Sequence, residues 1–103
     1  MRLMIVDNND EYRSAIKVLL ADIDHVEVIG EASDGESFLE QLQVLCPDVV
    51  LIDIELPVIN GITATRKAMD MCRMIKIIAV SGQDNNEYLR QIIEAGAQNY
   101  ILK

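Results

Sequence analysis

The sequence predicts a doubly wound α/β domain built on a five-stranded parallel sheet. Two patterns predict it. Leu3-Met4-Ile5-Val6, Val49-Val50-Leu51-Ile52, Ile77-Ile78-Ala79-Val80 and Tyr100-Ile101-Leu102 are apolar runs without polar alternation, as strands covered on both faces require. Between them, apolar residues recur at the period of an amphipathic helix. A further segment, Val26-Glu27-Val28, alternates instead and reads as an edge strand. The resulting order, β-α-β-α-β-α-β-α-β with short connections, is that of βαβ units sharing one sheet.

Each element has its own local reason. Tyr12, Ala15, Ile16, Leu19 and Leu20 form the apolar stripe of the first helix, and Phe38, Leu39, Leu42 and Leu45 that of the second. The third helix presents Ile62, Thr65, Met69 and Cys72, and the fourth Leu89, Ile92 and Ile93. Ser33 or Asp34, Asn60 and Asp84 stand where N-caps or first-turn residues of the last three helices belong, because their short side chains accept from otherwise unpaired N–H groups. Pro47 and Gly96 lie just past two helix ends.

With 103 residues the chain makes one domain, residues 1–103, without repeats or an internal linker. No apolar stretch nears the roughly 18 residues of a membrane span. Nine basic and seventeen acidic residues give a net charge of −8, which argues against this domain itself holding a nucleic-acid backbone. The acidity is uneven: residues 1–65 hold thirteen acidic and three basic side chains, whereas residues 66–103 are slightly basic. Cys46 and Cys72, distant in sequence, read as small buried hydrophobes in a reducing compartment. A single histidine, His25, excludes chemistry built on histidine clusters, and five scattered glycines supply no phosphate-cradling loop.

Ligands of open α/β sheets bind at the carboxyl ends of the strands. Those ends here are Asp7-Asn8, Asp53, Ser81-Gly82 and Lys103. Two acids, an amide, a hydroxyl and an ammonium are thus expected along one edge. Singly, each is an ordinary cap or surface residue; together they mark a site.

These residues carry a family resemblance. The segment from Pro47 through Asp53 to Pro57, followed by Gly61, resembles the phosphoacceptor strand of response-regulator receiver domains. Val6-Asp7-Asn8, Ser81-Gly82 and Gly96–Lys103 are similar to the same family in order and spacing. The stretch from Val28 to Gly35 is most similar to the subgroup with a C-terminal helix-turn-helix output domain. The resemblance implies a flavodoxin-like sheet of order 2-1-3-4-5. It implies a cytoplasmic two-component regulator in which Asp53 takes a phosphoryl group from a histidine kinase or phosphotransfer protein. It also implies Mg²⁺ held by Asp53, Asn8 and the backbone carbonyl of Glu55, with Asp7 acting through water. Lys103 and Ser81 would contact phosphoryl oxygens, and Tyr100 would turn inward as Ser81 moves. The chain would not be an enzyme beyond slow self-dephosphorylation. Any DNA contact would belong to an output domain outside this sequence.

Two departures modify this expectation. Asn8 stands where the family usually has a second acid, which predicts weak Mg²⁺ binding and leaves a pseudo-receiver that binds partners without phosphorylation as the alternative. Asp10 or Glu55 could compensate. The sequence also stops at Lys103, without the family's fifth helix; the plain expectation is a C-terminally truncated receiver. Were that helix truly missing, apolar surface on the first, third and fifth strands would lie open, and a dimer or exchanged element could cover it. Asp53-Ile54-Glu55 is only loosely similar to the paired acids of aspartate-nucleophile phosphatases, whose pair follows the first strand.

Overall fold

A computed structural model describes residues 1–103. The elements are β1 (Arg2–Val6), α1 (Asp10–Ala21), β2 (Glu27–Ala32), α2 (Gly35–Leu42), β3 (Val49–Asp53), α3 (Gly61–Met71), β4 (Lys76–Ser81), α4 (Asn86–Ala95) and β5 (Asn99–Leu102). The five strands form one parallel sheet of order β2-β1-β3-β4-β5. Both the parallel sheet and its order match the expectation. No helix is long and apolar enough to cross a membrane.

The two faces of the sheet are packed unequally. On one face, α2, α3 and α4 close over a continuous core that includes Met4, Val6, Phe38, Val50, Ile52, Ile77, Ala79 and Ile92. Phe38 and Leu42 are buried, so the second helical stripe points where its period says. Of the fourth, Ile92 is fully buried but Leu89 and Ile93 are exposed, and Tyr88 packs against the core beside Ile92. On the other face, α1 alone packs through Ile16 and Leu20 against Leu3, Ile5 and Val49. No residue of α1 is buried, and Leu19, expected in its apolar stripe, is 68% exposed.

The open surface expected on the first, third and fifth strands is therefore found on only part of that set. Leu3 and Ile5 of β1 are buried because α1 lies across them, whereas Leu51 of β3 is half-buried and Ile101 and Leu102 of β5 are exposed.

Several boundaries differ from the sequence reading. The edge strand begins at Glu27 and runs to Ala32, longer than the alternating triplet suggested. Helix α2 ends at Leu42, with Leu45 still packed against the core from the following turn. Pro47 therefore lies well beyond the helix end. Asp34 and Asn60 are N-caps as expected, accepting from the N–H groups of Ser37 and Thr63. The α4 cap is Asn85 instead of Asp84, accepting from Glu87 and Tyr88. Gly96 caps α4 with φ near 120°, which suits glycine.

Cys46 is exposed and Cys72 half-buried. The expectation that both are buried is incorrect. Each follows a helix, in a connection at the amino end of the sheet, where loops run over the surface instead of through the core.

Candidate functional site

The pleat places the site. Side chains alternate along a strand, so Leu3, Ile5 and Asp7 share one side of β1 and its continuation, and Val49, Leu51 and Asp53 share one side of β3. Asp7 and Asp53 are both buried, at 2% and 7% exposure. The wall behind them is apolar, formed by Ile5, Ile16, Leu51 and Val80 together with the Tyr12 ring.

Each carboxylate is oriented by backbone. Asn9 N–H donates to Asp7 Oδ1 at 2.9 Å, and Glu55 N–H donates to Asp53 Oδ1 at 3.0 Å. Their second oxygens share one cation. Lys103 Nζ lies 2.9 Å from Asp7 Oδ2 and 3.3 Å from Asp53 Oδ2. Lys103 reaches them because its own N–H pairs with the Ser81 carbonyl at 2.7 Å, carrying the ladder past the end of β5. The ammonium also sits 4.5 Å from the centre of the Tyr12 ring, a cation–π contact.

The electrostatics follow from this burial. Desolvation raises the Asp53 pKa above the ordinary aspartate value; the Glu55 N–H opposes the rise, the Asp7 charge adds to it and Lys103 offsets it. Burial works against the Lys103 charge, but the hydrogen bond and charge of Asp7 and the charge of Asp53 outweigh it, leaving the lysine pKa raised.

Ser81 is fully buried at the end of β4, on the opposite parity from Asp53. Its hydroxyl donates to Glu55 Oε1 at 3.0 Å and accepts from Gln83 N–H at 3.0 Å. Tyr100 is half-buried, and its hydroxyl donates to the Gln83 carbonyl at 2.6 Å. Ser81 and Tyr100 are therefore joined through Gln83, a residue the motif reading did not select.

Asn8 is exposed at the rim. Both acids expected to compensate for it have other partners. Asp10 forms an ion pair with Arg13, and the Glu55 carboxylate is taken by Ser81. Arg13 is a clamp that motif spacing could not reveal. Its guanidinium donates to the Asp7 carbonyl and to Asp10, and its Nε meets Glu31 at 3.1 Å. Lys17 reaches the same Glu31 at 2.7 Å and, ahead of Arg13, holds that carboxyl below its usual range. Asn9, which caps α1 by accepting from Tyr12 N–H, was legible: a short amide followed by Asp10-Glu11 is a helix-start signature.

The loop after Asp53 is tightly built. Gly61 N–H donates to the Ile54 carbonyl at 2.7 Å, and a Cβ at Gly61 would collide with the Asp53 carbonyl and the Ile54 Cα. Only glycine allows this approach. Val58 in the same loop has φ of 68°, a left-handed conformation that costs a β-branched residue about 1–3 kcal/mol.

The donor chemistry at the edge suits a hard cation. Two carboxylates, an amide oxygen and a backbone carbonyl are all oxygen donors, and Mg²⁺ binds through one or two carboxylates while keeping waters.

The family model for the response regulator receiver domain matches residues 3–103. The chain belongs to this family. Among curated proteins, response regulator GacA of Pseudomonas viridiflava is 39% identical over 103 residues, covering 100% of this chain and 48% of the relative. Transcriptional regulatory protein DegU of Brevibacillus brevis is 32% identical, covering 100% of this chain and 44% of the relative. The crystal structure of a LuxR-family two-component response regulator from Aurantimonas sp. SI85-9A1 superposes with a TM-score of 0.94 at 27% identity, over 99% of this chain and 73% of that one. The receiver spans about half the length of the curated relatives it matches.

Of the receiver's expected site residues, Asp7, Asp53 and Lys103 are in direct contact. Ser81 is one link removed, through Glu55, and Asn8 stands at the rim.

Proposed function

We propose that Asp53 accepts a phosphoryl group from the phosphohistidine of a kinase or phosphotransfer protein. A carboxylate oxygen of Asp53 forms the new O–P bond as the N–P bond of the donor breaks and the imidazole leaves. The observation that carries this reading is the single ammonium of Lys103 shared by two buried carboxylates at adjacent strand ends. Charge builds on the phosphoryl oxygens during transfer, and a pre-placed cation that needs no reorganisation is the most effective way to stabilise it. Lys103 then exchanges part of its contact with Asp53 for a phosphoryl oxygen. Mg²⁺, when bound through Asp7, Asp53, the Asn8 amide oxygen and the Glu55 carbonyl, would supply further positive charge at the same oxygens.

Ser81 donates its hydroxyl to a phosphoryl oxygen after releasing Glu55. Because Gln83 joins Ser81 to Tyr100, that movement disturbs the Tyr100 hydroxyl bond and reaches the surface of β5 and α4. Control of transcription would follow through a DNA-binding domain elsewhere in the protein, a reading supported by the likeness to transcriptional regulatory protein DegU. The −8 charge of this chain accords with leaving DNA contact to that part.

The test is incubation of the chain with Mg²⁺ and acetyl phosphate, followed by intact-mass and peptide analysis. One phosphoryl adduct on Asp53, absent from Asp53→Asn, is the expected result. An unmodified protein at high Mg²⁺, with beryllofluoride also causing no spectral change, overturns the proposal and leaves phosphorylation-independent partner binding.

A further inference from the structure

Tyr12 stands in the first turn of α1, one turn before Ile16, and carries the helix's apolar stripe to the carboxyl edge of the sheet. Its half-buried ring lines one small cavity together with Asp7, Asp53, Leu51 and Val80. Hydrogen bonds from residues on either side of Tyr12 tie that turn to Asp7. Asn9 N–H donates to Asp7 Oδ1 and Asn9 Oδ1 accepts from Tyr12 N–H, each at 2.9 Å, while the Arg13 guanidinium donates to the Asp7 carbonyl. The ring so held lies 4.5 Å from the Lys103 ammonium.

We propose that Tyr12 is a positioning residue for phosphoryl transfer, its ring face holding the Lys103 ammonium in place while Lys103 passes from Asp53 to the incoming phosphoryl oxygen. The proposal rests on Asp53 as the acceptor. Lysine carries its charge on a flexible four-carbon stem, and Lys103 lies just past the end of β5, where its backbone N–H is paired but its stem is free of the ladder. Asp7 and Asp53 each hold the ammonium through one oxygen, and the contact with Asp53 is the one given up in transfer. Asp7 and the Tyr12 ring then remain. A carboxylate or water in the place of the ring would compete as an acceptor for the ammonium N–H groups; an aromatic face attracts the charge through its quadrupole instead. It therefore confines Lys103 and leaves its donors for the phosphoryl oxygen. The Lys103 side chain is 26% exposed, so the contact is partly desolvated and stronger than one on an open surface. The ring face supplies this attraction, and the Tyr12 hydroxyl has no part in it.

The experiment follows modification of Asp53 by acetyl phosphate at saturating Mg²⁺ in the wild-type chain, Tyr12→Phe and Tyr12→Leu, each with and without Lys103→Met. Tyr12→Leu should slow acceptance about three- to tenfold, the range of a partly screened cation–π contact, and Tyr12→Phe by less than about twofold. In the Lys103→Met background Tyr12→Leu should have no further effect. NMR of the unphosphorylated chains gives a second readout, independent of transfer. The ring current should move the Lys103 ε-methylene protons upfield in the wild-type chain and Tyr12→Phe, and not in Tyr12→Leu. Wild-type rates in Tyr12→Leu, an equal loss in Tyr12→Phe, a further loss in the Lys103→Met background, or ε-methylene protons unmoved by Tyr12→Leu would each overturn the proposal alone. A wild-type chain that takes no phosphoryl group overturns the assignment of Asp53 as acceptor, and this proposal with it.

Discussion

Lys103 is held more closely by Asp7 than by Asp53: its Nζ is 2.9 Å from the first carboxylate and 3.3 Å from the second. The ammonium thus neutralises the pair while its shorter contact lies with the acid that is not the proposed acceptor. Breaking that arrangement leaves two buried carboxylates facing each other. Lys103→Met should lower stability by about 1–3 kcal/mol at neutral pH, measured by urea unfolding. The loss should shrink in acid, where a protonated carboxyl no longer repels its neighbour; an equal loss at both pH values would count against the shared-cation account.

Asp53 should make the chain less stable as pH rises. Its folded pKa is raised, chiefly by burial, so in the window between the unfolded and folded values the native state holds more protons than the unfolded state. Stability from this group is complete below the ordinary aspartate pKa and is lost as pH climbs through the raised one. Asp53→Asn, which removes the buried charge, should therefore stabilise by on the order of 1 kcal/mol at pH 7, or roughly 4–8 °C in Tm. Thermal scans between pH 4 and 7 should show that gain fading in acid.

Asn8→Asp should tighten Mg²⁺ binding. A full charge replaces an amide dipole at the rim, where solvent screens it, so the gain should be about three- to tenfold rather than the several kcal/mol of a buried pair. Isothermal titration calorimetry on the metal alone reads this directly. Because Arg13 holds Asp10, Asp10→Asn should change Mg²⁺ affinity much less than Asn8→Asp; the reverse order would show that Asp10 leaves Arg13 for the cation.

Glu55 competes with the incoming phosphoryl group for Ser81. The Ser81 hydroxyl now donates to Glu55 Oε1 at 3.0 Å, and a hydrogen bond of this type is worth about 1 kcal/mol net. Glu55→Ala should then speed acceptance from acetyl phosphate by roughly fivefold. In a Ser81→Ala background the same substitution should have little effect. A full acceleration there would assign the gain to lost repulsion instead of to the serine.

The apolar runs, helical stripes and strand-end residues of the sequence were enough to place Asp7, Asp53, Ser81 and Lys103 at one edge, because the strand period and βαβ handedness leave few alternatives. Local spacing also marked the caps at Asp34 and Asn60. What it could not decide were relations between side chains from different elements. Only the tertiary structure put Arg13 on the Asp7 carbonyl, turned Glu55 toward Ser81 and set the Tyr12 ring beside the Lys103 ammonium. Side-chain direction at a loop or rim depends on charge and space supplied by residues far away in the chain. Periodicity fixes which face a residue occupies, and packing decides which neighbour it meets there.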